Sequence, residues 1–226
     1  MNSPSSAYSN DPNGELFLSR TFLDFSNCGP IAALMLSKFS QSNNVKEKPI
    51  SLSKSILSAR KIVQKNEKKS GEDDVSYRWW RTSDIKRYLD SKKINYSAID
   101  TSSSSAKERN KQIINELKQG SAVVVNVDMN DLPLGFGSGV GKPYFTFPIF
   151  GRWGHFLVII GYEEINGRTA YEIHDSYSKK GKNRLYYADN ISRAIQNYNN
   201  ELVSVRKNNG LDRRFIIAAK KALATN

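Results

Sequence analysis

The chain has 226 residues and a mass of 25.5 kDa, enough for one domain with a substantial core. Lys and Arg number 34 against 22 Asp and Glu, a formal charge of +12 that attracts anionic partners but says nothing about chemistry. A mean hydropathy of −0.56, with apolar runs far below the ~20 residues that span a bilayer, excludes a transmembrane helix, and one cysteine with two histidines excludes a disulfide framework, a zinc site built on several thiolates and a multi-histidine metal centre.

In chain order, residues 1–19 are rich in Ser, Asn and Pro and read as a flexible arm without the basic and apolar regions of a secretory signal. Such a chain is expected to be cytoplasmic or delivered by a specialised secretion route. Ile31, Leu34, Met35 and Phe39 recur at helical spacing, so Pro30–Phe39 is predicted to be a buried helix with proline in its first turn. Residues 51–69 form a lysine-rich amphipathic helix. A third helix, Asp84–Ser91, is capped by Thr82 or Ser83 and leads to a strand near Asn95–Ile99. A fourth runs over Ala106–Lys118 and stops at Gly120. After Gly120 the texture changes. The β-branched run from Ser121 to Met129 reads as a buried strand, and Leu132–Gly154 as a long Gly- and aromatic-rich loop whose 132–153 part could close over a cleft. Three strand-like segments follow, around His155–Glu164, Thr169–Tyr177 and Asn183–Asp189, punctuated by Asn166-Gly167 and Lys180-Gly181. Ala188–Tyr198 is expected to be a helix and Arg213–Ala218 a last strand. The fold class is therefore α+β: one domain over 20–226, helical over about 20–119 and β-rich over about 120–226.

The lone cysteine, Cys28, lies directly before the first helix. The partial positive charge and unsatisfied N–H groups of a helix start stabilise thiolate over thiol. Gly29 would leave room for a substrate carbonyl beside the sulfur. A thiolate enzyme also needs a base. His155 stands at the mouth of a strand, after Trp153 and Gly154, and can face a cleft. His174 is mid-strand and reads as a partly exposed structural residue. Asp175 is eight residues past the Asn166-Gly167 turn and His155 eleven before it, so a hairpin brings both near its open end. There the carboxylate can orient the imidazole.

Asn27-Cys28-Gly29-Pro30 before a small-residue helix, a Gly-preceded strand at Gly120, Gly154-His155 leading to Gly161-Tyr162, and a strand ending His174-Asp175 together resemble the papain-like cysteine peptidases of the bacteriocin-processing type, which cut after double-glycine leaders, and their free-standing bacterial relatives. The resemblance covers about residues 20–190. It implies a papain-like fold with the Cys helix packed on an antiparallel sheet, Cys28 as nucleophile, His155 as base and acid, and Asp175 as orienter. The family's usual oxyanion-donating glutamine is missing from Thr21–Asn27, and Asn27 is the candidate replacement, with Ser26 as the alternative; Gly29, Trp153 and Gly154 are candidate cleft residues. No cofactor or metal is implied, and the partner is a polypeptide substrate. An immunity or inhibitor protein joins it if the chain is an effector or toxin.

The same thiol chemistry also fits deamidation or transglutamination. A second class of reading is a toxin acting on RNA. It draws on the basic stretches Lys46–Lys69 (with Lys54, Arg60, Lys61 and Lys65), Lys179–Arg184 and Arg206–Arg214, and on Tyr77, Trp79 and Trp80 beside Arg78 and Arg81 as a stacking platform. A non-catalytic binding module on the same scaffold is the third.

Overall fold

The computed structural model describes residues 8–11, 13, 17–18, 26–41, 51–65, 78–132, 153–177 and 181–207. Twelve elements of regular α or β structure occur there. In chain order they are β1 (Tyr8–Ser9), α1 (Cys28–Gln41), α2 (Leu52–Lys65), α3 (Thr82–Ser91), β2 (Ser97–Asp100), α4 (Ala106–Lys118), β3 (Ser121–Asp128), β4 (Gly154–Ile165), β5 (Arg168–His174), β6 (Arg184–Tyr187), α5 (Ala188–Tyr198) and β7 (Glu201–Arg206). The strands form one antiparallel sheet of order β2-β7-β3-β4-β5-β6, and β1 extends the same edge of β4 that β3 occupies further along.

The α+β prediction holds, with the Cys helix packed on an antiparallel sheet. The sheet has helices on both faces. Helices α1, α2 and α3 pack on one face through Ile31, Leu36, Phe39, Ile85 and Leu89, against Val124, Phe156, Val158 and Val203. On the other, α4 and α5 bury Ile113, Leu117, Ile191 and Ile195 against Val123, Val125, Leu157 and Ile159. This two-sided burial explains why β3 reads as an uninterrupted β-branched run rather than an alternating one. Buried Arg109 ties the second layer together. Its guanidinium donates to Thr101 Oγ1 (3.1 Å), to Ser192 Oγ (2.8 Å) and to the Ser192 carbonyl (3.1 Å), joining α4 to α5.

Several boundaries differ from the sequence expectation. Helix α3 starts at Thr82, so Thr82 and Ser83 lie inside it; Arg81 holds the cap position, and the Asp84 carboxylate in the first turn reaches back to the Arg81 N–H (2.7 Å). Strand β7 escaped the sequence reading altogether; its six residues carry a charge at each end and a serine inside, and lie between β2 and β3. Within the stretch expected to be a loose arm, residues 8–11 are docked. Asn10 Nδ2 donates to the carbonyls of Leu117 (3.0 Å) and Ser121 (2.8 Å), and its N–H donates to that of Ile160 (2.8 Å). The loop at 133–152 and the strand expected at Arg213–Ala218 lie outside the described residues. No helix of the described residues is long and apolar enough to cross a membrane.

Candidate active site

The chain turns into α1 at Asn27, whose carbonyl accepts the first helical bond from Ile31 N–H (3.0 Å). Cys28 therefore sits in the first turn, with its side chain buried. Gly29 plays a different part from the one expected. A Cβ placed on it would stand 2.5 Å from Trp80 Cβ and 3.4 Å from Phe156 Cδ2. The space beside Gly29 is filled by Trp80, and glycine is needed because the chain before α3 crosses at this point. That close approach also sets the start of α1 against the start of β4. Cys28 and His155, each one residue before the contact, lie on facing elements at the same end of the sheet.

His155 is buried at the beginning of β4. Its Nε2 lies 2.9 Å from Asp175 Oδ1. The two are joined across the β4–β5 hairpin, whose Asn166-Gly167 turn has both residues at positive φ. Val158 faces His174, and a register shift between Ile159 and Gly161 slides the rest of β4 along. Carried one step on, the Val158–His174 register sets Asp175 opposite Leu157, two residues from His155, so the contact is diagonal; without the shift the offset would be three and the two side chains would leave opposite faces. Asp175 is 0% exposed. It accepts from Tyr177 N–H at Oδ1 (2.9 Å), while Arg184 Nη1 and Tyr186 Oη lie 3.4 Å from Oδ2. A carboxylate held in this way accepts from Nε2–H, so the basic nitrogen of the neutral imidazole is Nδ1, on the far side of the ring. The Tyr177 ring stacks edge-on to His155 at 6.0 Å and limits its rotation.

Tyr198, at the end of α5, is a site residue that sequence reasoning missed. A Cβ on Gly154 would fall 2.0 Å from its Cζ and hydroxyl, so Gly154 is the space into which the phenol packs. The Gly154 N–H bonds the phenol oxygen. Burial raises the Tyr198 pKa, and the nearby negative charges of a Cys28 thiolate and Asp128 push it in the same direction. The side chain keeps 39% exposure. Trp153 touches Trp79, which is 48% exposed, edge-to-face at 5.9 Å, so the residue before β4 meets the segment before α3. No spacing rule ties Tyr198 to Gly154; only the packing of α5 on β3 brings them together.

Asn27 is buried, and its Oδ1 accepts from Arg60 Nε (2.9 Å) and Nη2 (2.7 Å). His174 is fully buried rather than partly exposed. Its Nε2 lies 2.7 Å from Asp11 Oδ2, in a pair separate from that of His155. The basic stretches lose members to the interior: Arg60 and Arg184 are buried and Trp80 belongs to the core. Arg78 is bound to Asp84 (2.7 and 2.8 Å). Of the platform's described members Trp79 and Arg81 stay exposed, while Trp80 is buried and Arg78 is held by Asp84. Tyr77 and part of each lysine-rich stretch lie outside the described residues. Among the described residues, no group of three or more His, Cys, Asp or Glu is placed to hold a metal ion.

The family model described as Peptidase_C39 like matches residues 9–202 of the chain. A solved structure described as that of a C39-like peptidase from Bacillus anthracis is similar at 12% identity, with a TM-score of 0.47 and coverage of 89% of this chain and 98% of the other. No curated protein matches the chain significantly.

Proposed function

The chain belongs to the Peptidase_C39-like family of papain-like cysteine peptidases, and from that premise we propose that Cys28, His155 and Asp175 form its catalytic triad. The observation that carries this reading is the 2.9 Å contact between His155 Nε2 and a buried, multiply held Asp175, at the end of the sheet where α1 begins with Cys28. The Cys28 thiolate attacks the scissile carbonyl and the C–S bond forms as the carbonyl electrons move to oxygen. When the tetrahedral adduct collapses the C–N bond breaks, and the imidazolium gives its Nδ1 proton to the leaving amine. His155 then takes a proton from water as the hydroxide adds to the thioester, and the second collapse releases acid and thiolate. Asp175 keeps the ring in one tautomer and stabilises the imidazolium. The Cys28 N–H and the Asn27 side-chain amide are the proposed donors to the oxyanion.

The narrower assignment, to free-standing relatives of the double-glycine-leader peptidases, rests on the order of the motifs. Mass-spectrometric profiling of a proteome-derived peptide library, wild type against Cys28→Ala, tests both levels. Cleavage by wild type alone, concentrated after Gly or Gly-Gly, is the expected result. Equal product patterns from the two proteins would remove the thiol-peptidase reading, and cleavage after bulky residues would remove the narrower one.

A further inference from the structure

Asn27 can serve as an oxyanion donor only if its amide is held with NH2, not oxygen, toward the reacting carbonyl. The group that decides this is Arg60, from the middle of α2. Its side chain is 2% exposed. Nε and Nη2 both donate to Asn27 Oδ1, at 2.9 and 2.7 Å. Nη2 also donates to the Ser26 carbonyl (2.8 Å) and to Ser26 Oγ (3.0 Å), and Nη1 donates to the Arg78 carbonyl (3.0 Å). A guanidinium offers only N–H donors, so the amide atom facing it must be the oxygen. The fork therefore fixes the flip of Asn27 and turns its NH2 to the opposite side. It also clamps the residue before Asn27, and through Arg78 the chain that leads to Trp79 and Trp80 beside Gly29.

We propose that Arg60 is a positioning residue for acyl transfer: by gripping Asn27 Oδ1 with two N–H groups while pinning Ser26, it presents the Asn27 amide NH2 to the developing oxyanion beside Cys28. This inference rests on the Cys28 peptidase reading and deepens it. Lysine keeps the charge but offers a point donor instead of a planar fork, so it cannot hold both the amide oxygen and the Ser26 carbonyl in the same geometry. The role is thus separable from any general electrostatic effect of a buried cation on the thiol.

The test compares two reactions of the same sulfur. Acylation by p-nitrophenyl acetate passes through an oxyanion: the C–S bond forms, the carbonyl electrons move to oxygen, and collapse expels p-nitrophenolate. Alkylation by iodoacetamide displaces iodide and forms no oxyanion. Rates of both are measured on wild type, Arg60→Lys, Asn27→Ala and the double variant, with circular dichroism confirming the fold. The proposal predicts that Arg60→Lys and Asn27→Ala each slow acylation by about 10²-fold, the loss typical of one oxyanion donor, while alkylation stays within about twofold. The double variant should be no slower than the slower single one, because both remove the same interaction. Three results would overturn the proposal: equal losses in both reactions, independent losses that multiply in the double variant, or unchanged acylation in Arg60→Lys. Should Arg60→Lys fail to fold, Asn27→Ala decides alone, and unchanged acylation there overturns the proposal. Should wild-type Cys28 react with neither reagent above the free-thiol rate, the peptidase reading itself falls, an outcome distinct from the failure of Arg60 alone.

Discussion

Asp175 does most of its work by having no freedom. It is surrounded by the His155 ring, the Tyr177 N–H, the Arg184 guanidinium and the Tyr186 hydroxyl, and its own N–H donates to the Gly181 carbonyl (2.8 Å). Asp175→Asn conserves size but allows the amide to present NH2 to Nε2, which favours the wrong tautomer. Steady-state kinetics should show kcat reduced by about 10²–10⁴-fold with KM little changed, the pattern of lost transition-state stabilisation. A fall confined to KM would assign Asp175 to substrate binding instead. Gly154 makes a steric prediction. Gly154→Ala drives a methyl group into the Tyr198 phenol and should cost about 1–3 kcal/mol of stability in chemical denaturation. Adding Tyr198→Ala should return much of that loss. If the double variant is as unstable as the sum of the singles, the contact is not what requires glycine there.

At the scale of elements, α3 shows how a charge can define a helix start. Burial alone would raise the Asp84 pKa, yet the Arg78 guanidinium and the Arg81 N–H outweigh it and hold the carboxyl below its usual value. A carboxyl whose folded pKa lies below its unfolded one adds stability above the unfolded value, and that stability is lost as pH falls through the folded one. The helix cap should therefore weaken below about pH 4, and hydrogen exchange should show the α3 amides losing protection there before those of β3. Asp84→Asn should lower stability at pH 7 by about 1–3 kcal/mol and flatten the acid limb. An acid limb identical to that of wild type would place the acid-sensitive group elsewhere. Thr82 or Ser83 is the standard residue type for the cap; here the Asp84 carboxylate, held by Arg78 six residues upstream, takes the Arg81 N–H instead.

For the whole molecule, chemistry-bearing positions were more legible in sequence than the architecture that joins them. The Cys28 helix, the β3 run and the Asn166-Gly167 hairpin follow from local periodicity and turn chemistry; the hairpin arithmetic set His155 and Asp175 near one open end, and the register shift in β4 put them on the same face. Four other features left no local trace. Strand β7 is recognisable only by its partners β2 and β3. Arg60 and Arg184 read as surface charge, because nothing short of the fold shows that carbonyls, an amide or a carboxylate wait for them inside. Tyr198 reaches Gly154 only through the second helical layer. His174 is internal because residues 8–11 return to the sheet and bring Asp11 to its Nε2 (2.7 Å). That last contact predicts that Asp11→Ala leaves a buried imidazole without this acceptor. Thermal unfolding should then show a loss of about 1–3 kcal/mol, or roughly 2–4 °C in Tm per kcal/mol for a chain of this size. An unchanged Tm would mean that the docking of residues 8–11 contributes nothing to the stability of the sheet.

The triad itself is tested most directly by the pH dependence of Cys28 alkylation with iodoacetamide in wild type and His155→Ala. With the thiol at the start of α1 and the proposed imidazole partner on the facing strand, the wild-type midpoint should lie well below the ~8.5 of a free cysteine, with labelling at pH 6 faster than that of a simple thiol. In His155→Ala it should climb back toward that value. A wild-type midpoint near ~8.5 that does not move when His155 is removed would contradict the assignment of Cys28 and His155 to one catalytic unit.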